Sequence, residues 1–497
     1  MPTDHFVAFD LGAESGRALL GALEGDRLTL EEKHRFANPV GRLNGTLYWN
    51  LLGQWEEMKV GLRKCATGDG RTRREIDGIG VDTWGVDFGL IAPNGDVLAN
   101  PVHYRDARTN GVMEKVLQRV SRQRIFETTG IQFMQLNTLY QLVALSWTKS
   151  SLLSAAETML FMPDLFNYLF TGKRQSEFSI ASTSQMYNPR KRAWADELLH
   201  ELEIPRKILP NIVPSGTVVS PMRKDVAAEC RVGQIPVIAP GSHDTASAVA
   251  AVPADGGDGW CYISSGTWSL MGVELAAPLI NEKAMKYDYT NEGGVGGRIR
   301  FLKNITGLWL VQECRRAFAA DGREYDYAEL VSAAEKAEPF RTVIDPDHRP
   351  FLEPGNIPGK IESFAAATQQ RPPTNPGEFV RTCLEGLAIK YRQTLDGLED
   401  VLGRRIKVIH IVGGGSRNEL LNQMTADACN RTVIAGPAEA TGIGNVLVQA
   451  MAMGRLRSLE DARKVVKNSV EVKRFEPRDA KAWQAAYERY QDVRQHS

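Results

Sequence analysis

Short apolar runs that stop at polar or glycine-rich turns recur along this chain and alternate with stretches of helical periodicity. Phe6-Val7-Ala8-Phe9 runs through Asp10 and Gly12 into a turn, and Arg17-Ala18-Leu19-Leu20 returns, which predicts a strand hairpin. The same design recurs at 259–273, where Trp260-Cys261-Tyr262-Ile263 meets the small-residue turn Ser264-Ser265-Gly266-Thr267 and a second apolar run follows. Each hairpin opens one half of the chain. Residues 235–240 predict a buried strand that delivers the loop Ser242-His243-Asp244, and the small apolar residues 246–253 predict a helix. Further strands are predicted at 78–82 and 408–412. A long helix is predicted at 375–402, where Asn375 can cap, Pro376 suits the first turn, and Phe379, Cys383, Leu387 and Tyr391 recur every four residues. Proline- and glycine-rich patches at 346–359 and 370–376 predict surface loops. The result is an α/β protein divided near residue 248 into two lobes, 1–247 and 248–497, with functional residues at strand ends.

Charge and composition narrow the partners. Lys plus Arg and Asp plus Glu both number 60, so no net field draws the protein to nucleic acid or to an anionic membrane. No apolar run approaches the roughly 20 residues of a membrane span. The first residues, Met1-Pro2-Thr3-Asp4-His5, place no basic stretch before a sustained apolar one, so a secretory signal is not expected. The six cysteines are scattered without a Cys-x-x-Cys pair, and the eight histidines show no metal-ligand spacing, which predicts reduced core thiols, no zinc and a cytoplasmic setting. Small-molecule partners fit best, for a monomer or weak homodimer.

The turns carry the chemistry. A carboxylate in a tight polar loop can take a proton from an alcohol, and phosphoryl transfer to a hydroxyl needs such a base; Asp244 stands in that position. His243 beside it is either a hydrogen-bonding neighbour of the acceptor or a satisfied core histidine. In Asp10-Leu11-Gly12-Ala13-Glu14-Ser15-Gly16-Arg17, glycines let the backbone approach an anion, Ser15 and the amides can donate, and Arg17 adds a guanidinium. Asp10 could hold magnesium through water, since that ion sheds its waters reluctantly. Thr267 offers a second, uncharged grip on a terminal phosphate. No Gly-x-x-x-x-Gly-Lys-Ser/Thr loop is present. Gly413-Gly414-Gly415 follows a strand and precedes a helix, so bare backbone there can face a nucleotide, with 438–445 as a neighbouring wall. Asp82-Thr83-Trp84-Gly85-Val86-Asp87-Phe88 joins an indole, a glycine and two carboxylates, and Tyr104-Arg105-Asp106-Ala107-Arg108 adds a polar cluster; together they suit a sugar, and each alone also suits a surface turn.

With these motifs assembled, the chain resembles the FGGY carbohydrate kinases of the actin and Hsp70 ATPase superfamily. Residues 82–88, 104–111, 137–142, 242–249, 290–294 and 302–309 are similar to the branch that acts on L-rhamnulose. The resemblance implies two actin-like (ribonuclease H-like) lobes with an active-site cleft between them, ATP and Mg2+ as cofactors, and phosphorylation of L-rhamnulose at its 1-hydroxyl. It implies ATP contacts from Ala13, Glu14, Ser15, Gly16, Arg17, Thr267, Asn304, Gln312 and Gly414. Sugar contacts would come from Gly85, His243, Asp244 and Thr245, with Asp244 as proton acceptor; the local reading of the motifs adds Asp82 and Trp84 to the sugar and Asp10 to the metal. On this reading 1–247 binds sugar and phosphate and 248–497 binds nucleotide. Ala13 departs from the threonine that many family members carry in the first hairpin. L-Fuculose or a pentulose is the alternative acceptor, and a chaperone-like or regulatory ATPase is the alternative class.

Overall fold

The computed structural model describes residues 3–68 and 73–496; Met1 and Pro2 lie outside that range. The chain forms two compact units. The first comprises residues 1–253, 274–301 and 440–470, and the second 254–273, 302–439 and 471–497.

The first unit is built on β1 (Asp4–Leu11), β2 (Ser15–Glu24), β3 (Arg27–Ala37), β4 (Gly78–Thr83), β5 (Thr217–Pro221) and β6 (Pro236–Ala239), in the order β5-β6-β4-β1-β2-β3. The β1–β2 and β2–β3 pairs are antiparallel, whereas β4 lies parallel to both β1 and β6. The apolar runs Phe6 to Phe9 and Ile79 to Val81 are buried on both faces, as expected for central strands. The apolar runs stop where Asp10 and Asp82 enter, one residue before each strand ends, and the parallel register puts those two residues side by side.

Two helices brace that end of the sheet: α1 (Asp244–Ala250) and, from the late segment of the chain, one spanning Ala440–Ala452. Their contact is glycine-dependent. A Cβ at Gly444 would overlap the Ser247 carbonyl oxygen, and one at Gly80 would overlap Asn445.

In the second unit the order is β9-β8-β7-β10-β11-β12, from β7 (Trp260–Ser265), β8 (Trp268–Leu275), β9 (Ile299–Thr306), β10 (Val408–Val412), β11 (Thr432–Ala435) and β12 (Lys473–Phe475). β7 pairs antiparallel with β8 and parallel with β10. The long helix Pro376–Leu402 begins at an Asn375 cap, whose side chain accepts from the Glu378 amide at 3.1 Å, and ends at Gly403 with φ 65°.

The 346–359 patch is not wholly loop. It contains the turn of helix Arg349–Leu352 and the start of Ile357–Ala367. Phe351 and Ile357 are fully buried there, and Phe351 packs in a ring cluster with His348 and Phe364, so tertiary burial overrides the proline and glycine signals. All six cysteines are free and buried. Among the described residues no helix is long and apolar enough to cross a membrane.

Candidate active site

Three carboxylates converge in the first unit. Asp10 is the penultimate residue of β1, Asp82 that of β4, and Asp244 opens α1. The α1 entry is tied to the β4 end, because the Thr83 amide donates to the Ser242 carbonyl at 2.9 Å. Asp82 is fully buried. Burial first, then the Asp10 and Asp244 charges, push its carboxyl well above the usual range, against the Asn445 amide that donates to Oδ2. Its Oδ1 is buried with no hydrogen-bond partner among the described residues. Asp244 keeps 31% of its side-chain surface exposed. Burial, and after it the Asp10 charge, raise its carboxyl above the ordinary value, with His243 and Thr245 opposing. It is thus a partly accessible carboxylate with heightened basicity.

The backbone beneath Asp244 is overdetermined. The buried Glu177 carboxylate accepts from the Ser242 amide at 3.2 Å, and the Ser179 hydroxyl accepts from the His243 amide at 3.1 Å. The His243 ring lies with Nε2 3.5 Å from Asp244 Oδ1 and Nδ1 2.9 Å from Arg300 Nη2.

Trp84 and Gly85 follow β4 directly. The Asp87 amide closes a three-residue turn onto the Gly85 carbonyl at 2.9 Å, with Val86 at its centre and φ 68°. Positive φ is costly for a β-branched residue, and the strain is held by the Thr138 hydroxyl, which donates to the Val86 carbonyl at 2.7 Å. Asp87 is not a free sugar ligand. It is buried and accepts from Trp49 Nε1 at 2.6 Å, Trp84 Nε1 at 3.0 Å, the Tyr104 amide at 3.2 Å and Gln141 Nε2 at 3.1 Å. Burial raises its carboxyl to about 6 despite those donors. The carboxylate therefore fixes two indoles whose ring centroids stand 4.1 Å apart. In the Tyr104–Arg108 cluster, Asp106 is likewise buried, accepting from the Leu47 amide at 2.8 Å and the Arg108 amide at 3.0 Å.

The β1–β2 turn holds Ala13 and Glu14. Asn38 Nδ2 donates to the Gly12 carbonyl at 2.9 Å, and the Asn38 amide donates to Glu14 at 3.0 Å, so the turn is braced from behind. Arg17 pairs with Asp10 across the hairpin. Gly16 has a packing reason: a Cβ there would overlap the Phe36 ring. Ser15 accepts from Arg35 Nη1 at 3.4 Å.

In the second unit Thr267 sits at the β7–β8 turn. Its hydroxyl accepts from Gln312 Nε2 at 3.2 Å, and Gln312 Oε1 is buried without a hydrogen-bond partner among the described residues. The helix Trp309–Ala320, which carries Gln312, docks on the turn through Gly307, whose Cβ would lie 2.6 Å from the Trp268 carbonyl carbon. Asn304 lies on β9. The three consecutive glycines after β10 differ. Gly413 has φ 83°, a Cβ at Gly415 would overlap Ser265, and a Cβ at Gly414 would meet nothing within 4 Å. The following helix, Glu419–Cys429, starts later and is capped by Asn418, which accepts from the Leu421 amide at 3.0 Å. Of residues 438–445, expected to wall the nucleotide loop, 440–445 form the start of the Ala440–Ala452 helix in the first unit.

Sequence reasoning missed Glu177, Glu292, Arg300, Asn445 and Trp49. Of these, only Glu292 and Asn445 lay in stretches singled out beforehand, 290–294 and 438–445.

Residues 5–251 match the N-terminal domain of the FGGY family of carbohydrate kinases, and residues 261–453 match its C-terminal domain. A rhamnulokinase of Bacteroides thetaiotaomicron is 42% identical over 97% of this chain and 98% of its own length. One from Bacillus subtilis is 37% identical over 95% and 96%. Among solved structures, a xylulose kinase from Lactobacillus acidophilus superposes with a TM-score of 0.80 at 15% identity over 99% of this chain and 98% of that one. A Plasmodium falciparum glycerol kinase with ADP gives 0.78 at 14% identity over 99% and 98%. The fold is that of a two-domain carbohydrate kinase, and the chain belongs to the FGGY family of carbohydrate kinases.

Proposed function

We propose that this kinase transfers the γ-phosphoryl group of ATP to the 1-hydroxyl of L-rhamnulose, as a cytoplasmic enzyme of rhamnose breakdown that works as a monomer or weak homodimer. The observation that carries this reading is the near full-length similarity to rhamnulokinases. Asp244 takes the proton of the 1-hydroxyl as that oxygen bonds to the γ-phosphorus, and the bond to the β–γ bridging oxygen breaks to release ADP. Gly85, Trp84, His243 and Thr245 hold the sugar, with Asp82 behind them. Residues 13–17, Thr267, Asn304, Gln312 and Gly414 hold the nucleotide. Positioning supplies most of the rate, because a loose phosphoryl transition state asks little covalent help.

Magnesium fits these residues as an ion that keeps its waters. Among the described residues no three His, Cys, Asp or Glu side chains are grouped to hold a metal directly, yet Asp10 stands beside Asp82, whose Oδ1 lacks a protein donor. Asp10 would hold the hydrated ion, which supplies charge neutralisation to the phosphates.

ADP release measured across L-rhamnulose, L-fuculose, L-ribulose, xylulose and glycerol tests the assignment. L-Rhamnulose should give the highest kcat/KM. A higher value for another ketose ends the L-rhamnulose reading and leaves the kinase. Gly414→Val tests the nucleotide side, since the open space there spares the fold. KM for ATP should rise by about tenfold or more, as for loss of 1.4 kcal/mol of binding, while KM for sugar moves little. Unchanged ATP titration would make the glycine run only a turn.

A further inference from the structure

Behind His243 lies a buried ion pair that the transfer scheme does not use. The Arg300 side chain is fully buried; its Nε donates to the Gly293 carbonyl at 2.7 Å, and its Nη2 stands 3.1 Å from Glu292 Oε2 and 2.9 Å from His243 Nδ1. Glu292 Oε2 is itself 3.3 Å from His243 Nδ1. We propose that Arg300 is a positioning residue that fixes His243 as a hydrogen-bond donor at Nε2, directed at the acceptor sugar beside Asp244. The identity of that acceptor rests on the sugar-kinase reading; the donor assignment does not.

The argument follows from what each group can do. A guanidinium donates only and keeps its protons, so the Nδ1 it meets must accept, and the neutral ring carries its proton on Nε2. Without Arg300, the nearby Glu292 carboxylate would draw the ring proton to Nδ1 and leave a lone pair on Nε2. Arg300 therefore decides between two tautomers. The Nε2 edge is open on the other side: a Cβ at Gly85 would stand 3.5 Å from it, an ordinary contact, and the actual glycine leaves that space clear. Were Nε2 an acceptor, it and Asp244 would compete for one hydroxyl proton. As a donor it holds the sugar oxygen and leaves the proton to Asp244.

The local fold fixes this arrangement. The short helix Phe178–Ser182 grips both partners, because Ser179 accepts from the His243 amide at 3.1 Å and Ser182 accepts from the Gly293 amide at 2.7 Å. Gly293 lies close enough that a Cβ would come 2.7 Å from the Phe178 ring. The strand Thr290–Gly293 and the catalytic loop are thereby held in one register.

A double-mutant cycle tests the proposal on the best sugar of the panel. Arg300→Met should lower kcat/KM for sugar roughly 10- to 100-fold while KM for ATP stays within about twofold, the coupling expected of neighbours in one hydrogen-bond network. His243→Gln offers an amide donor near the Nε2 position and has no tautomer to set, so in that background Arg300→Met should cost less than about threefold. Equal losses in both backgrounds would make Arg300 merely structural and overturn the proposal. Should Arg300→Met fail to fold, 15N NMR of the ring-labelled parent decides, with His243→Gln identifying the signal among eight histidines. A proton on Nε2 supports the assignment, and a proton on Nδ1 overturns it. This readout needs no substrate, so it stands apart from the choice of sugar.

Discussion

Asp244→Asn should lower turnover by about 10² to 10⁴, the range for removing a general base, while ATP binding and the fold persist. Asparagine keeps an oxygen for the Thr245 hydroxyl, which the aspartate meets at 3.1 Å, and the backbone of the loop is held by Glu177 and Ser179 rather than by Asp244 itself. Stability should not fall at neutral pH. A carboxyl raised above its ordinary 3.8 is disfavoured in its charged form by the fold, so its contribution is greatest below 3.8 and is lost as pH rises towards the folded value. Removing the charge relieves that loss. The same shift places the acid limb of the parent's kcat/KM above 3.8, since the base must be ionised to work. Steady-state kinetics and thermal melts check both halves. Turnover within about twofold of the parent would remove Asp244 from the chemistry.

Gly444→Ala should destabilise the protein although helix propensity alone favours alanine over glycine by about 1 kcal/mol. The added Cβ would overlap the Ser247 carbonyl oxygen on α1, and that atom is backbone with no flexible end to swing away. Overpacking of this kind costs about 1 to 3 kcal/mol. The displaced element is the one that begins with Asp244, so kcat should fall as well, by about 10²-fold for a misplacement near 1 Å. Gly233→Ala serves as the control, because nothing lies within 4 Å of a Cβ there. Denaturant unfolding should place it within about 0.5 kcal/mol of the parent. Parental stability and kcat for Gly444→Ala would show that the two helices can separate without consequence.

What could be read from the chain was local. The runs Phe6 to Phe9 and Ile79 to Val81 announce strands because burial on both faces leaves no polar alternation, and Asp10 and Asp82 stand where those runs end. Asn375 and Pro376 mark a helix start through capping chemistry that needs only adjacent residues. What could not be read was remote. Arg300 reaches His243 across 57 residues and Asn445 reaches Asp82 across 363, and neither carries a mark of its partner in its own neighbourhood. Glycines hide a remote reason in a related way. At Gly16 and Gly415 the space a Cβ would take is filled by Phe36 and Ser265, and only Gly414 of its run opens to nothing. Asp87 looked like a ligand because its buried partners, Trp49 and Gln141, lie far away in the chain.

The first unit also dictates an order of events at the ribosome. One face of its sheet is covered by the helix Ala440–Ala452, which packs on β1 and β4, so the face bearing Gly78 and Gly80 gains that cover from residues made near the end of synthesis. At about 5 to 20 residues per second, the 363 residues between Asp82 and Asn445 take roughly 20 to 70 s to translate. Throughout that interval a nascent chain carries an uncovered apolar surface and a carboxylate still lacking its amide, a state that invites aggregation and suits chaperone capture. The acid end of the molecule is encoded first and completed almost last, so a fragment ending at residue 253 has the base without the helix that seats it.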